Sequence, residues 1–184
     1  SFSDSIAAVS EIYHELKDIL AKKFGKAAVN VGDEGGFAPP LSSPKEALAI
    51  LEVAVGSSGY SAEVKFALDA AATEVFNGKY EIETGKFLSA AELVDYYVEL
   101  TKAFPLISIE DPFEQEDFTS FAELKKSAKG VQIVGDDLLV TNVERIKNAI
   151  NQDSCSCLLL KINQIGTLTE AADAAKLSMV NGWK

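Results

Sequence analysis

The sequence predicts an α/β fold in which a parallel sheet, flanked by helices, curves into part of a (β/α) barrel. Three observations carry that expectation. Short apolar runs alternate along the chain with one-sided helical stretches. Four of those stretches open on a Ser or Thr followed three residues later by Glu. Every apolar run ends in an ionisable residue, as the strand ends on one barrel face would.

The first element is a helix. From Asp4 to Phe24, Ile6, Val9, Ile12, Tyr13, Leu16, Ile19, Leu20 and Phe24 recur at three- and four-residue spacing, and Gly25 closes the stretch. Ala28-Val29-Asn30-Val31 is the first predicted strand. Ser43 with Glu46 then opens a helix, and Pro44 occupies its first position, where no amide hydrogen is needed. Val64 to Leu68 reads as the next strand, and Phe76 to Ile82, with Asn77-Gly78 inside it, as an inserted turn or hairpin. Ser89 with Glu92 opens a helix, Leu106 to Ile109 is a strand, and a further helix runs from Phe118 to Lys129 before Gly130. Val131 to Val134 and Cys157 to Leu160 complete the strands; Thr141 with Glu144 and Thr167 with Glu170 open the last helices. The runs are expected to be buried on both faces and joined by right-handed crossovers. No repeat, low-complexity tract or long linker interrupts them, so residues 1–184 read as one domain or part of one.

Composition narrows the function. Hydrophobic residues make up 47% and charged residues 24%, the balance of a chain that folds around a core. Seventeen basic against 28 acidic residues give a formal charge of −11, which opposes nucleic acid and anionic membrane surfaces as partners. No apolar run reaches membrane-span length, and the start lacks the layout of a signal peptide, so a cytoplasmic location is the default expectation. Cys155 and Cys157, two residues apart on a predicted strand, are expected to be reduced and buried. His14, the sole histidine, lies in a helical pattern and reads as structural, and Tyr13, Phe24 and Trp183 read as packing residues. Gly35-Gly36 lacks the lysine and helix entry of a phosphate-cradling Walker loop.

The chemistry is expected at the strand ends: Asp33-Glu34, Asp69, Glu110, Asp136-Asp137 and Lys161. Glu110 precedes Asp136 by 26 residues and Asp136 precedes Lys161 by 25, about one strand-helix unit each; the 41 residues from Asp69 to Glu110 leave room for the hairpin. Any one of these could be a solvated loop residue or a cap, but five successive strands ending this way point to a shared rim. Carboxylates gathered on one rim repel, and oxygen-only ligation suits magnesium. A lysine beside them is a possible base, whose neutral form a divalent cation and desolvation would favour.

At these residues the sequence resembles the enolase family. Asn30-Val31-Gly32-Asp33-Glu34-Gly35-Gly36, Ala67-Leu68-Asp69-Ala70-Ala71, Ser108-Ile109-Glu110-Asp111-Pro112-Phe113, Gly135-Asp136-Asp137-Leu138 and Leu158 to Thr167 occur in the family's order and spacing, in a style closest to its eukaryotic cytosolic members. The resemblance implies a partial TIM-type (β/α) barrel of the enolase C-terminal domain, with the N-terminal capping domain and the last barrel strands outside this stretch. It implies Mg2+-dependent dehydration of 2-phosphoglycerate to phosphoenolpyruvate by a complete, homodimeric protein, and little activity from the stretch alone. Asp69, Glu110 and Asp136 would bind the metal, Glu110 and Asp136 also lying against substrate. Lys161 would take the carbon 2 proton, Glu34 would help protonate the departing hydroxide, and Asp137 would orient its neighbours. Two alternatives stay open: another enolase-superfamily enzyme acting on a carboxylic acid, or a binding or structural role such as a surface plasminogen receptor.

Overall fold

A helix with apolar residues along one side must bury that side against a second element, and residues 1–64 solve this with a helix pair. The computed structural model describes Ser1–Lys184 and divides into two compact units, Ser1–Val64 and Lys65–Lys184. In the first, α1 (Phe2–Phe24) starts on a box in which the Ser1 hydroxyl accepts from the Asp4 amide, and stops at Gly25, whose φ of 87° a side chain would resist. Its Ala8, Ile12 and Leu20 are buried, as are Leu48, Ile50, Ala54 and Val55 of α2 (Pro44–Ser57), which Ser43 caps through the Glu46 amide at 3.2 Å. His14 is exposed and meets the Tyr13 ring edge-on.

The strand expected at 28–31 does not form. Lys26–Val29 is a 3-10 turn, and Val31 makes only an isolated antiparallel bridge with Phe37. Two alanines after a glycine turn readily, and no neighbouring strand lies in this unit to hold an extended run.

The second unit is a four-stranded parallel sheet in the order β1-β4-β5-β6, built from β1 (Phe66–Asp69), β4 (Leu106–Glu110), β5 (Gln132–Gly135) and β6 (Cys157–Leu158). Between β1 and β4 the hairpin of β2 (Tyr80–Glu83) and β3 (Lys86–Leu88) reaches six residues beyond the predicted segment; Asn77-Gly78 makes a first turn and Thr84-Gly85 the second. The crossover helices are α3 (Ala90–Ala103), α4 (Phe118–Ser127), α5 (Val143–Gln152), the one-turn α6 (Ile162–Ile165) and α7 (Leu168–Val180). Phe113, Phe121, Leu124, Ile133, Leu138, Leu139 and Ile146 form a fully buried core.

Three further expectations are corrected. The last strand is two residues long, not four, although Lys184 pairs beside it, donating to Ser156 O at 3.2 Å and accepting from Leu158 N at 3.0 Å. The strands are not buried on both faces: in β4, Leu106 and Ile109 are buried while Ile107 is half exposed, because helices cover one face of an open sheet. Thr141 does not cap α5. Asn142 does, its Oδ1 accepting from Glu144 N at 2.9 Å and Arg145 N at 3.2 Å. Asn offers a carbonyl one residue nearer the helix and competes successfully for both free amides.

Candidate active site

Parallel register brings the C-terminal ends of the strands to one rim. Asp69 pairs directly with Glu110, which in turn pairs with Val134, so Asp136 stands two residues beyond the same level. Gly135 pairs with Leu158, and Lys161 follows three residues later as the residue before α6. The rim backbone is unusual. Ala71, Asp111, Val140 and Thr141, four of the five non-glycine residues with positive φ, lie in the loops after β1, β4 and β5. Each such residue costs on the order of 1–3 kcal/mol and is kept only where its surroundings compensate.

The loop after Glu110 is strapped from several sides. The buried Tyr97 hydroxyl donates to Pro112 O at 3.1 Å, Tyr80 of the hairpin accepts from Glu114 N at 3.0 Å, and Thr73 accepts from Gln115 N at 3.1 Å. Phe113 is buried edge-on between the rings of Tyr80, Tyr97 and Phe121. Arg145 then joins this loop to the one after β5: it donates to Gln115 O at 2.7 Å and Leu138 O at 2.5 Å, and its guanidinium lies over the Phe118 ring. The hairpin that reads as an insertion therefore seats the loop behind Glu110.

Asp111, 4% exposed, does a different job. Its Oδ1 accepts from Asp136 N at 2.9 Å and its Oδ2 from Asp137 N at 2.8 Å, so one carboxylate fixes the backbone of the acidic pair on the next strand. Burial pushes its pKa up to about 6 against the pull of those two amides. Gly135 sets the same turn from below: a side chain there would stand 2.6 Å from Leu139 Cγ and 3.2 Å from Cys155 Sγ.

Glu110 is pushed up to about 7, first by burial and then by the charges of Asp69, Asp136 and Asp111, with Lys161 opposing. These side chains thus share one electrostatic field. Asp136, 9% exposed, accepts from the Lys161 ammonium at Oδ2 and from Gln164 Nε2 at 2.9 Å at Oδ1. The hydrogen bond to Asp136 raises the Lys161 pKa, helped by the charges of Asp136, Glu110 and Asp137, so the surrounding carboxylates hold the ammonium. The neutral amine expected from the sequence depends on a nearby divalent cation; among the protein's own groups the carboxylates outweigh desolvation. Glu34 belongs to the first unit, exposed on the turn between Val31 and Phe37, where Tyr13 donates to Gly35 O at 2.9 Å and stacks on Phe37.

A family model described as the enolase C-terminal TIM barrel domain matches residues 1–184. Proteins named enolase from Methanocaldococcus jannaschii and Methanococcus aeolicus are 53% and 52% identical over the whole chain, and one from Methanococcus maripaludis is 48% identical. The chain belongs to the enolase family. It spans 43–44% of the length of these relatives. The parallel sheet with its flanking helices is accordingly part of the enolase TIM barrel.

Enolase membership implies a metal ion, and two acidic groupings compete for it. Asp111, Asp136 and Asp137 bring ligand atoms within 4.8 Å of one another. Both Asp111 oxygens, however, are engaged by backbone amides, and coordination there would break one buried and one part-buried hydrogen bond. Asp69, Glu110 and Asp136 offer only oxygen donors, and the repulsion that adds to burial in raising Glu110 is what a divalent cation relieves. The chemistry of that donor set fits a hard cation. Asp111, Gln164 and Arg145 were not assigned roles from the sequence, and Thr141 was assigned only the helix cap that Asn142 provides instead. Asp111 alone carried a signal, an acid next to Pro112 and beyond the ionisable strand end, where a second carboxylate serves the backbone.

Proposed function

We propose that the complete protein containing this chain is a phosphopyruvate hydratase, dehydrating 2-phosphoglycerate to phosphoenolpyruvate in the cytoplasm as a step of glycolysis, reversibly, and acting as a homodimer. The observation that supports this best is the rim at which Asp69 and Glu110 pair in register while Asp136 binds Lys161. Asp69, Glu110 and Asp136 would hold Mg2+, with Glu110 and Asp136 also facing substrate. Bound there, the metal supplies positive charge to the substrate carboxylate, where negative charge develops as the carbon 2 proton leaves. Lys161 accepts that proton. It can do so only as the neutral amine, so the ammonium that Asp136 now holds must first leave that ion pair and release a proton to solvent. Glu34 donates a proton to the hydroxide leaving carbon 3, so that acid and base are separate groups. No helix is long and apolar enough to cross a membrane. Residues 1–184 alone hold an open sheet and form phosphoenolpyruvate poorly.

The test is phosphorus NMR of the complete protein with 2-phosphoglycerate and Mg2+. Phosphoenolpyruvate should form with Mg2+ and stop with a chelator, and Asp69→Ala and Glu110→Ala should both raise the Mg2+ needed. No product from the parent protein would overturn the reading.

A further inference from the structure

Thr141 is 0% exposed, sits at φ 56° directly after Val140 at φ 41°, and takes no part in capping α5. Its hydroxyl has two partners, both at the rim: it accepts from Lys161 N at 2.9 Å and donates to Gln164 Oε1 at 3.4 Å. Gln164 passes the polarity on, its Nε2 donating to Asp136 Oδ1 at 2.9 Å. A hydroxyl has one proton, so giving it to Oε1 turns the amide nitrogen towards the carboxylate. The reverse orientation would set the amide oxygen against Asp136 and leave Thr141 facing a donor. Each bond in the chain from Thr141 through Gln164 to Asp136 thus fixes the next.

We propose that Thr141 and Gln164 are positioning residues: Thr141 anchors the backbone at Lys161 and orients Gln164, and Gln164 holds the Asp136 carboxylate in the rotamer that coordinates metal. Asp136 is held by the Asp111 acceptor on its backbone and by Gln164 on its side chain. The inference rests on the metal reading proposed above, and outer partners of this kind govern affinity through ligand orientation.

The test uses the complete protein and Mn2+ as probe, with free ion counted by electron paramagnetic resonance. Gln164→Leu and Thr141→Val should each weaken Mn2+ binding about 10-fold, the lower end of the usual effect of removing such a partner. Thr141→Ser, which keeps the hydroxyl, should bind as the parent does. The double variant should lose no more than the weaker-binding single, because both act on one carboxylate. Gln164 is exposed, so Gln164→Leu decides if Thr141→Val does not fold. Parent affinity in Gln164→Leu, losses that multiply in the double variant, or failure of Thr141→Ser to restore binding would overturn the proposal. If the parent binds Mn2+ and Asp136→Ala binds it equally well, the metal reading itself falls.

Discussion

Asp111→Ala removes the one group that accepts from both the Asp136 and Asp137 amides. Each amide sits within 3 Å of its carboxylate oxygen, and the Asp136 amide is buried and the Asp137 amide partly so, so water does not fully replace the lost acceptor. An orphaned buried amide costs about 1–3 kcal/mol, giving about 2–6 kcal/mol for the pair. The lower half applies, because the variant also removes a carboxyl whose ionisation burial opposes, as its rise to about 6 shows. We therefore expect a loss of about 2–4 kcal/mol in urea unfolding of the complete protein, as a lower midpoint with an unchanged slope. Metal affinity should fall as well, by about 10-fold, because the backbone under Asp136 is released. Asp111→Asn separates support from coordination: it keeps one acceptor and should retain most of the affinity. An Asp111→Ala midpoint within about 0.5 kcal/mol of the parent, or an Asp111→Asn loss as large as that of Asp69→Ala, would refute a backbone role for Asp111.

Three shorter predictions follow from neighbouring contacts. Gly135→Ala should cost about 1–3 kcal/mol by overpacking against Leu139 and Cys155, read as a lower unfolding midpoint. Glu110 and Asp111 are both raised in the fold, to about 7 and about 6, so the folded chain binds more protons than the unfolded one between about pH 4 and 7. The chelator-treated protein should then lose stability as pH rises through that window, and Mg2+ should flatten the slope. Cys155 is buried and its thiol is pushed up by desolvation, so iodoacetamide at pH 8 should label the half-buried Cys157 first, checked by peptide mass.

The parts of the fold legible in the sequence were those dictated by local pattern. The period of α1, the caps at Ser43, Ser89 and Thr167, and the apolar runs of β1, β4 and β5 all appear where residue order puts them. The failures share a cause. Ala28–Val31 has the composition of a strand but no partner beside it in its unit, and β propensity acts through partners. Thr141 matched a capping box, yet its neighbour Asn142 took both amides and left the hydroxyl for Lys161 and Gln164, a contact 20 and 23 residues distant. For the candidate site, the strand-end positions of Asp69, Glu110, Asp136 and Lys161 could be read directly. The supports could not: Asp111, Gln164, Tyr80 and Arg145 act through bonds that exist only once separate strands lie side by side. The partner of the Lys161 ammonium was likewise not legible, because it depends on which carboxylate the lysine meets once the strands are assembled.

The most direct test of a lysine base at this rim is exchange of the carbon 2 proton of 2-phosphoglycerate with heavy water, followed by proton NMR in the complete protein. Glu34→Gln should block loss of hydroxide yet keep exchange, since the base is untouched. Lys161→Ala should lose exchange by about 10²–10⁴-fold, the usual scale for a general base, while still binding Mg2+. Exchange at the parent rate in Lys161→Ala would mean that Lys161 only neutralises Asp136 and that another group removes the proton.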